Sequence, residues 1–296
     1  MAKSRAFQRG LVFILLAITS ACNLSRSPNL LASNEDVEIS STASSGEELP
    51  TPIPNSTEAF WRPEVGTTSQ LEFNDFSPEN LVDVVVYDID LFDNDAQVVS
   101  RLHEQGYKVI CYISAGSWED WRSDRDLFPP EVIGNDYEGW PGEKWLDIRK
   151  IDLLAPILTA RMDLCKQRGF DGIDPDNVDG YTNDTGFPLD ANDQLQFNIW
   201  LANEAHARGL SIGLKNDPDQ AKELEPYFDW ALTEDCFAED WCEQLLPFIQ
   251  AGKPVLAAEY TDMDVDLEEV CPFAKSMQFS LILKNRNLDE YIETCP

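Results

Sequence analysis

The fold is decided by the segment Leu154–Tyr181, which reads LAPILTARMDLCKQRGFDGIDPDNVDGY. Its first part, Leu154–Arg168, carries apolar residues at helical spacing. Gly169 follows at the place where a left-handed residue commonly ends a helix. Phe170–Ile173 is short and apolar, as buried strands are, and acidic residues begin directly after it. A helix, a glycine, a buried strand and a polar strand end, in this order, indicate one unit of a parallel α/β sheet.

The same order recurs along the chain. Further helical patterns cover Ala96–Gln105, Ala191–Arg208 and Asp240–Gln250, and a glycine follows each of them within two residues. Strands are predicted at Val82–Tyr87, Lys108–Ile113, Trp145–Ile148, Phe170–Ile173, Leu210–Leu214, Phe228–Leu232, Pro254–Ala258 and Gln278–Leu283. Eight strands in about 237 residues fit a single (β/α)8 TIM barrel, and an open doubly wound sheet is the alternative α/β architecture. No glycine-rich phosphate-binding motif follows any of these strands, so no nucleotide is indicated.

Acidic residues dominate the composition. The 296 residues include 54 Asp and Glu against 22 Lys and Arg, which is a formal net charge of −32. This balance argues against binding nucleic acid through its phosphates and against electrostatic adhesion to anionic lipid, and it favours a cationic partner. His103 and His206 are the two histidines of the chain, which disfavours histidine-rich zinc sites and Ser/Cys–His nucleophile systems. We predict no cofactor and no metal.

The N-terminus has the pattern of an export signal. Basic residues precede the apolar run Leu11–Ile18, which is too short to span a bilayer, and small residues follow it. The next residue, Cys22, resembles the lipidated cysteine of a bacterial lipoprotein box, so residues 1–22 are expected to be a lipoprotein-type signal. Residues 23–58 are rich in Ser, Thr and Pro and lack aromatic residues, which predicts a disordered stalk. Residues 59–296 are expected to fold outside the cytoplasm as a monomer, lipid-anchored at the cell surface or secreted.

Six cysteines remain after the expected signal. Outside the cytoplasm an even set permits disulfides, although their pairing does not follow from sequence alone. Two disulfides are predicted, one across a short loop and one at the C-terminus: Cys236–Cys242 and Cys271–Cys295. Cys111 lies in an apolar run and Cys165 on a helical pattern, so a bridge and two buried thiols are both open interpretations.

Catalytic residues of a barrel lie at the C-terminal ends of its strands. The predicted ends carry the polar residues Asp88, Asp90, Tyr112, Ser114, Asp147, Arg149, Asp174, Asp176, Asn177, Asp179, Lys215, Asn216, Asp217, Glu234, Asp235, Glu259, Tyr260 and Lys284. Two carboxylates on facing strand ends, without histidine, are the equipment of a glycoside hydrolase, in which one acid ionises and the other holds a proton. The densest acidic stretch does not match an EF-hand, because Val178 and Thr185 fall at ligand positions, and a nonstandard metal site is the minor alternative.

Seven of the eight tryptophans divide into two groups. Five lie in or near predicted loops, where they are candidates for stacking on sugar rings: Trp61, Trp118, Trp121, Trp140 and Trp145. Trp200 and Trp230 fall on helix and strand patterns and are expected in the core.

Seven ordered blocks cover Phe60–Lys284. They read FWRPEVGTT, CYISAGSWEDWR, WLDIR, GFDGIDPDNVDGY, GLKND, ALTEDCF and AAEYTD. Together these blocks resemble glycoside hydrolase family 114, the endo-α-1,4-polygalactosaminidases. The resemblance implies a (β/α)8 barrel that cuts within chains of α-1,4-linked galactosamine with retention of configuration.

The resemblance also implies the catalytic pair. The aspartate of its D-P-D-N motif falls on Asp176 and the glutamate of its T-E-x-C-F block falls on Glu234. We expect Asp176 to be the nucleophile and Glu234 the acid/base, because the longer glutamate reaches a leaving oxygen more readily. The residues expected to bind or orient substrate are Trp61, Asp88, Asp90, Tyr112, Ser114, Asp147, Arg149, Asp174, Asn177, Asp179, Lys215, Asn216, Glu259 and Tyr260.

A free-amine galactosamine polymer is cationic, which agrees with the acidic composition. Two other functions stay open at this stage. One is an enzyme of the same fold and acid pair that cleaves another amino-sugar exopolysaccharide. The other is a non-catalytic, exported sugar-binding lipoprotein, which would not need acids at positions 176 and 234.

Overall fold

The computed structural model describes residues 60–74 and 76–296. The expected signal, the lipidation site Cys22 and the stalk lie outside these residues. The strands are β1 (Ser69–Leu71), β2 (Val86–Asp90), β3 (Lys108–Ser114), β4 (Ser117–Glu119), β5 (Ile133–Asp136), β6 (Glu143–Leu146), β7 (Gly172–Asp176), β8 (Ser211–Lys215), β9 (Trp230–Glu234), β10 (Val255–Tyr260), β11 (Ser280–Lys284) and β12 (Glu293–Thr294). The helices are α1 (Ala96–Glu104), α2 (Ile151–Arg168), α3 (Ala191–Ala207), α4 (Ala221–Leu224), α5 (Leu246–Gln250) and α6 (Leu267–Met277).

Eight parallel strands form one curled sheet in chain order. The order is β1, β2, β3, β7, β8, β9, β10 and β11, and β12 pairs antiparallel to β11. From β2 onward these strands alternate with helices. The strand order never reverses, as it must in a doubly wound sheet, so the predicted (β/α)8 barrel is confirmed.

The edge strands β1 and β11 meet through side chains around the buried Lys284. Its Nζ atom donates to Oε1 of Gln70 at 2.9 Å and to the carbonyl of Asp289 at 2.7 Å. The Gln70 side chain donates in turn to the carbonyl of Glu290 at 3.2 Å. Burial lowers the pKa of Lys284 to about 8, against the attraction of Glu72. Lys284 therefore links the first and the last barrel strand by a polar contact between side chains.

One predicted barrel strand is wrong. The run Trp145–Ile148 overlaps β6, which pairs antiparallel with β4 and β5 in a separate three-stranded sheet. This sheet forms an insertion between β3 and α2, residues 115–150, called the insertion below. The barrel begins instead with β1, whose three residues, SQL, carry too weak a pattern to be recognised.

Local capping residues explain the helix ends. The side chain of Asp190 accepts hydrogen bonds from the backbone N–H groups of Asn192 and Asp193. The side chain of Asp193 accepts the backbone N–H of Asp190, which completes a capping box at the start of α3. Gly169 ends α2 in the left-handed conformation, as predicted. The predicted helix Asp240–Gln250 is shorter in the structure, where a 3-10 turn precedes the five-residue α5.

Three disulfides link the described cysteines. The predicted pairs Cys236–Cys242 and Cys271–Cys295 are confirmed. Cys111 of β3 is bonded to Cys165 of α2, which decides between the two interpretations left open by the sequence.

The core fills the barrel and the space between the sheet and the helices. Trp230 is fully buried, as predicted, and its ring lies over Gly213 of the neighbouring strand, where an added Cβ atom would approach it to 2.4 Å. Within the described residues, no helix combines the length and the apolar character that a membrane span requires.

The N-terminal end of the barrel is covered by residues 60–62. Arg62 donates to Asp229, directly before β9, and the Trp61 ring centre lies 6.0 Å from Nζ of Lys108, the first residue of β3. The predicted role of Trp61 in substrate binding is therefore wrong, because its ring lies at the end of the barrel opposite the strand C-termini.

Removing the polar link at Lys284 tests the barrel closure. Lys284→Ala should lower the free energy of unfolding by about 2–4 kcal/mol, because Gln70 and the Asp289 carbonyl lose their buried donor. Lys222→Ala, at an exposed position of α4, is the control and should change it by less than about 0.5 kcal/mol. Denaturation in urea measures both, and an equal effect of the two substitutions would contradict the proposed closure.

Candidate active site

A cleft of about 620 Å³ opens at the C-terminal ends of the barrel strands. Asp176, Lys215 and Glu234 are the last residues of β7, β8 and β9, three neighbouring strands, and all three line the cleft. Parallel pairing brings these strand ends to one edge of the sheet, which is why the sequence could predict their proximity.

The Lys215 ammonium group lies between the two expected catalytic acids. Its Nζ atom is 3.2 Å from Oδ1 of Asp176 and 3.1 Å from Oε2 of Glu234, and Asp174 is 3.7 Å away. Its side chain is 2% exposed, whereas those of Asp176 and Glu234 are 21% and 22% exposed. Burial opposes the charge on Lys215, but the attraction of the acids outweighs it and raises the pKa of Lys215.

Each acid also has a tyrosine partner. The Tyr112 hydroxyl donates to Oδ2 of Asp176 at 2.9 Å, and the Tyr260 hydroxyl donates to Oε1 of Glu234. Asn216 accepts the backbone N–H of Glu234 at 3.0 Å. Burial acts to raise the pKa of Glu234, but Lys215 and Tyr260 favour the ionised carboxylate and lower it overall.

The shared lysine limits the separation of the two acids. Oδ1 of Asp176 and Oε2 of Glu234 lie no more than about 6.3 Å apart, the sum of their distances of 3.2 Å and 3.1 Å to Lys215. Retaining glycosidases hold their carboxyl groups about 5–5.5 Å apart, and inverting enzymes about 6.5–9.5 Å apart. The bound applies to one oxygen of each carboxyl group and is compatible with the retaining separation.

Two further acids lie beneath this group. Asp88 and Asp174 are 1% and 0% exposed. Neither carboxyl group accepts a hydrogen bond from a described residue outside this pair. Burial, followed by repulsion from Asp174, raises the pKa of Asp88 well above its usual range. Burial also raises the pKa of Asp174 to about 7, although Lys215 acts to lower it. Burial and repulsion from neighbouring acids thus favour the protonated form of these carboxyl groups more than water would.

The insertion contributes a residue that the sequence analysis missed. Glu143 of β6 lines the cleft and accepts hydrogen bonds from Ser117 and, at 2.8 Å, from Asn177. Ser114 accepts from the same amide at 3.1 Å. The backbone of Asn177 approaches Gly116 closely. A Cβ atom at Gly116 would lie 1.6 Å from the carbonyl oxygen of Asn177, so this position requires glycine.

Two arginines neutralise acids on opposite sides of the cleft. Arg122 binds both oxygens of Asp90, at 2.9 Å and 2.6 Å. Arg286 binds Asp235 at 2.5 Å and 3.1 Å, and its guanidinium carbon lies 3.8 Å from the centre of the Tyr260 ring. Arg122 is the last residue of the block CYISAGSWEDWR and Arg286 lies two residues after β11, so neither falls at a predicted strand end.

Aromatic side chains complete the cleft. The insertion presents Trp121 and Trp140, each 48% exposed, and Tyr137, while Trp241 lines the cleft from the segment after β9. Apolar faces next to carboxylates and tyrosine hydroxyls suit the two faces of a sugar ring. Trp121 and Trp140 thus stay candidates for stacking, whereas Trp145 is 5% exposed and packs against Tyr137.

The predicted substrate-binding residues divide by position. Those that line the cleft are Asp90, Tyr112, Asn177, Asp179, Lys215, Asn216 and Tyr260. Asp88, Asp174 and Ser114 are buried beside or beneath it.

Three predicted substrate ligands are wrong as direct contacts. Asp147 and Arg149 belong to the end of the insertion, bind each other at 2.7 Å and do not line the cleft. Glu259 is fully buried and accepts the backbone N–H groups of Phe237 and Ala238, so it fixes the segment that follows Glu234.

Metal ligation is a separate question for so many acids. In the part of the chain that the structure describes, no group of three or more His, Cys, Asp or Glu side chains is arranged to hold a metal ion. The positive charges in the described cleft are those of Lys215, Arg122 and Arg286.

Comparison with known proteins assigns the family. The sequence profile of glycoside-hydrolase family GH114 matches residues 50–296. This chain belongs to that family. The GH114 chain is therefore a glycosidase, and the paired acids at its strand ends are the groups that this chemistry requires.

Similar proteins extend this result. Ega3 of Aspergillus fumigatus, solved in complex with galactosamine, is 43% identical with a TM-score of 0.74, covering 82% of this chain and 100% of that one. The glycoside hydrolase domain of Pseudomonas aeruginosa PelA shares the fold, with 15% identity, a TM-score of 0.59 and coverage of 77% and 98%. A protein of Deinococcus radiodurans is 26% identical over 237 residues, 70% of this chain and 75% of that protein.

Proposed function

We propose that this glycosidase cleaves α-1,4-linked galactosamine polymers within the chain and with retention of configuration. The observation that carries the proposal is the pair Asp176 and Glu234 held on one buried lysine. Support for the substrate comes from the 43% identity to Ega3, whose solved structure contains galactosamine, and from the net charge of −32. A cleft of about 620 Å³ has room for sugar units on both sides of a cleaved bond.

In the first step, the Asp176 carboxylate attacks the anomeric carbon of the sugar. The carboxylate is oriented by the Tyr112 hydroxyl, which donates to it at 2.9 Å, and by the Lys215 ammonium at 3.2 Å. Glu234 reacts from its protonated form, the minor form above its lowered pKa, and gives its proton to the glycosidic oxygen, whose bond to the anomeric carbon breaks. The products of this step are a glycosyl ester on Asp176 and a shortened chain with a free hydroxyl.

In the second step, Glu234 acts as a base. It takes a proton from a water molecule, whose oxygen attacks the anomeric carbon and releases Asp176. Once Asp176 is an ester, it carries no negative charge. Of the two catalytic acids, only Glu234 can then pair with the Lys215 ammonium, which favours the ionised form of Glu234. The shared lysine thereby suits Glu234 to the base role at the stage where a base is needed.

We propose that the protein is exported from the cytoplasm by means of its N-terminal residues. Residues 1–22 act as a lipoprotein-type signal with Cys22 as the lipidated residue, residues 23–58 form a stalk, and residues 59–296 form one monomeric catalytic domain. The three disulfides support a compartment outside the cytoplasm, since such bonds persist in oxidising surroundings. Contact with a membrane is made only through the lipid anchor.

The roles of the pair are tested on partially deacetylated α-1,4-galactosamine polymer. The parent protein should release short oligosaccharides, and Glu234→Gln should lower kcat by about 10²–10⁴-fold, the usual contribution of a general acid. Asp176→Asn should reduce it at least as much, and Glu239→Gln, an exposed cleft acid, is the control that should retain activity.

Azide distinguishes nucleophile from acid/base in these variants. With a nitrophenyl oligosaccharide, Glu234→Gln should give the α-glycosyl azide, because azide replaces water on the Asp176 ester. Asp176→Asn should give the β-glycosyl azide by direct displacement. The reverse pattern, measured by NMR of the products, would exchange the two roles.

Polymer cleavage is tested separately. If the folded parent protein did not cleave the galactosamine polymer, other amino-sugar polymers would be tested as substrates.

The pH profile tests the link between Tyr260 and Glu234. Glu234 must be protonated in the first step, so kcat/KM should fall tenfold per pH unit above its pKa. Tyr260→Phe removes a donor that favours the ionised form, which raises this pKa and moves the falling limb to higher pH by about one unit. Tyr107→Phe, at the opposite end of the barrel, should leave the limb in place. A limb that is unchanged in Tyr260→Phe, or that moves to lower pH, would contradict this account.

A further inference from the structure

The insertion brings one buried acid to the cleft that no step of the proposed mechanism uses. Glu143 of β6 is 7% exposed, and its Oε1 atom accepts hydrogen bonds from the Ser117 hydroxyl and, at 2.8 Å, from Nδ2 of Asn177. Burial raises the pKa of Glu143 to about 7, and these two hydrogen bonds act to lower it. The bonds therefore favour the ionised carboxylate and also fix its direction.

Asn177 is the residue directly after Asp176. Its φ of 62° lies in the left-handed region, which an asparagine adopts at a cost unless its side chain is bonded. Besides Glu143, its amide Nδ2 has the hydroxyl oxygens of Ser114 at 3.1 Å and Ser117 at 3.0 Å as acceptors. Of these three acceptors Glu143 is the nearest, and it is the one that can carry a charge.

The insertion also holds the backbone at this point. The carbonyl of Asp176 accepts the backbone N–H groups of Ala115 at 3.0 Å and Gly116 at 3.1 Å, the first two residues of the insertion. The carbonyl of Gly116 in turn accepts the N–H of Leu146, the last residue of β6, at 3.0 Å. The turn after β7 is thus bonded to the insertion through its backbone and, at Glu143, through a side chain.

We propose that Glu143 is a positioning residue for Asp176, which it holds in place through the Asn177 amide. This inference rests on the proposed function, because that function gives Asp176 the role of nucleophile. Attack on the anomeric carbon requires the reacting atoms to lie about 3–3.5 Å apart in line, and a misplacement of about 1 Å costs about 100-fold in rate. Glu143 acts on the rate through the turn that carries Asp176, without contact with the reacting atoms.

The first measurement compares kcat and KM on α-1,4-galactosamine oligomers, with the full chain. Glu143→Ala should lower kcat by about 10- to 100-fold, because the Asn177 amide loses its nearest acceptor and the turn shifts. KM should change little, since the contacts with the sugars remain. Glu143→Gln should restore most of the lost kcat, because its carbonyl oxygen accepts the same two hydrogen bonds.

The decisive comparison removes the nucleophile. In Asp176→Asn, azide displaces nitrophenol directly from a nitrophenyl oligosaccharide, so the position of residue 176 no longer sets the rate. Adding Glu143→Ala to this variant should leave the azide-dependent rate unchanged. A residue that only stabilises the fold, or that binds a sugar itself, would lower this rate as much as it lowers the rate of the parent protein.

The matched control is Glu138→Gln, which removes the charge of an exposed acid from the same insertion. It should keep the kcat and KM of the parent. If Glu143→Ala does not fold, as judged by thermal unfolding, Asn177→Gly takes its place in both measurements. Glycine adopts the left-handed conformation without cost but lacks the amide, so this variant should show the same loss of kcat and the same unchanged azide-dependent rate.

The outcomes separate this inference from the proposed function. A parent protein that does not cleave the oligomers, or an Asp176→Asn variant that does not form the β-glycosyl azide, overturns the proposed function and this inference with it. If both reactions occur, a parent-like kcat in folded Glu143→Ala overturns this inference alone. So does a rise in KM at unchanged kcat, which would mean direct contact with a sugar, or an azide-dependent rate that falls in the double variant. A Glu143→Gln variant as slow as Glu143→Ala would overturn the assignment to the two hydrogen bonds.

Discussion

The site depends on one buried ammonium group. Lys215 is 2% exposed at the centre of the barrel end, and a charge so far from water is tolerated only with close opposite charges. It has three of them, with Asp176 and Glu234 within 3.2 Å and Asp174 at 3.7 Å. The same contacts that keep the lysine charged also place the two catalytic acids on either side of it. The contacts that stabilise the buried lysine are therefore the same contacts that align the two acids.

The parallel strands make this arrangement possible, because their register alone brings the ends of neighbouring strands together. The three residues end β7, β8 and β9, and the register of neighbouring strands brings Ser114 opposite Asp176 and Ala258 opposite Glu234. Above and beside them, tyrosines on β3 and β10 fix the outer oxygens of the acids. Below them, Asp88 and Asp174 are buried, and burial raises the pKa of both, which disfavours further negative charge around one lysine.

Much of this follows from the sequence, because the strand ends carry the chemistry. A buried run that ends in an acid, an amide or a lysine predicts both the strand and its functional end, and this holds for Asp176, Lys215 and Glu234. The prediction fails where long-range contacts decide. Glu143 reaches the cleft only because the insertion folds over it, and Trp61 lies at the other end because Arg62 binds Asp229, 167 residues away. β1 was missed because three residues carry too little pattern.

The anomeric form of the first product tests the central claim most directly. Proton NMR during the first minutes of cleavage of an α-1,4-galactosamine oligomer resolves the α and β anomers of the new reducing end before they interconvert. Two acids held on one lysine, with one oxygen of each no more than about 6.3 Å apart, fit the retaining arrangement, which predicts that the α-anomer forms first. Initial release of the β-anomer would mean direct attack by water, and would contradict the covalent role of Asp176.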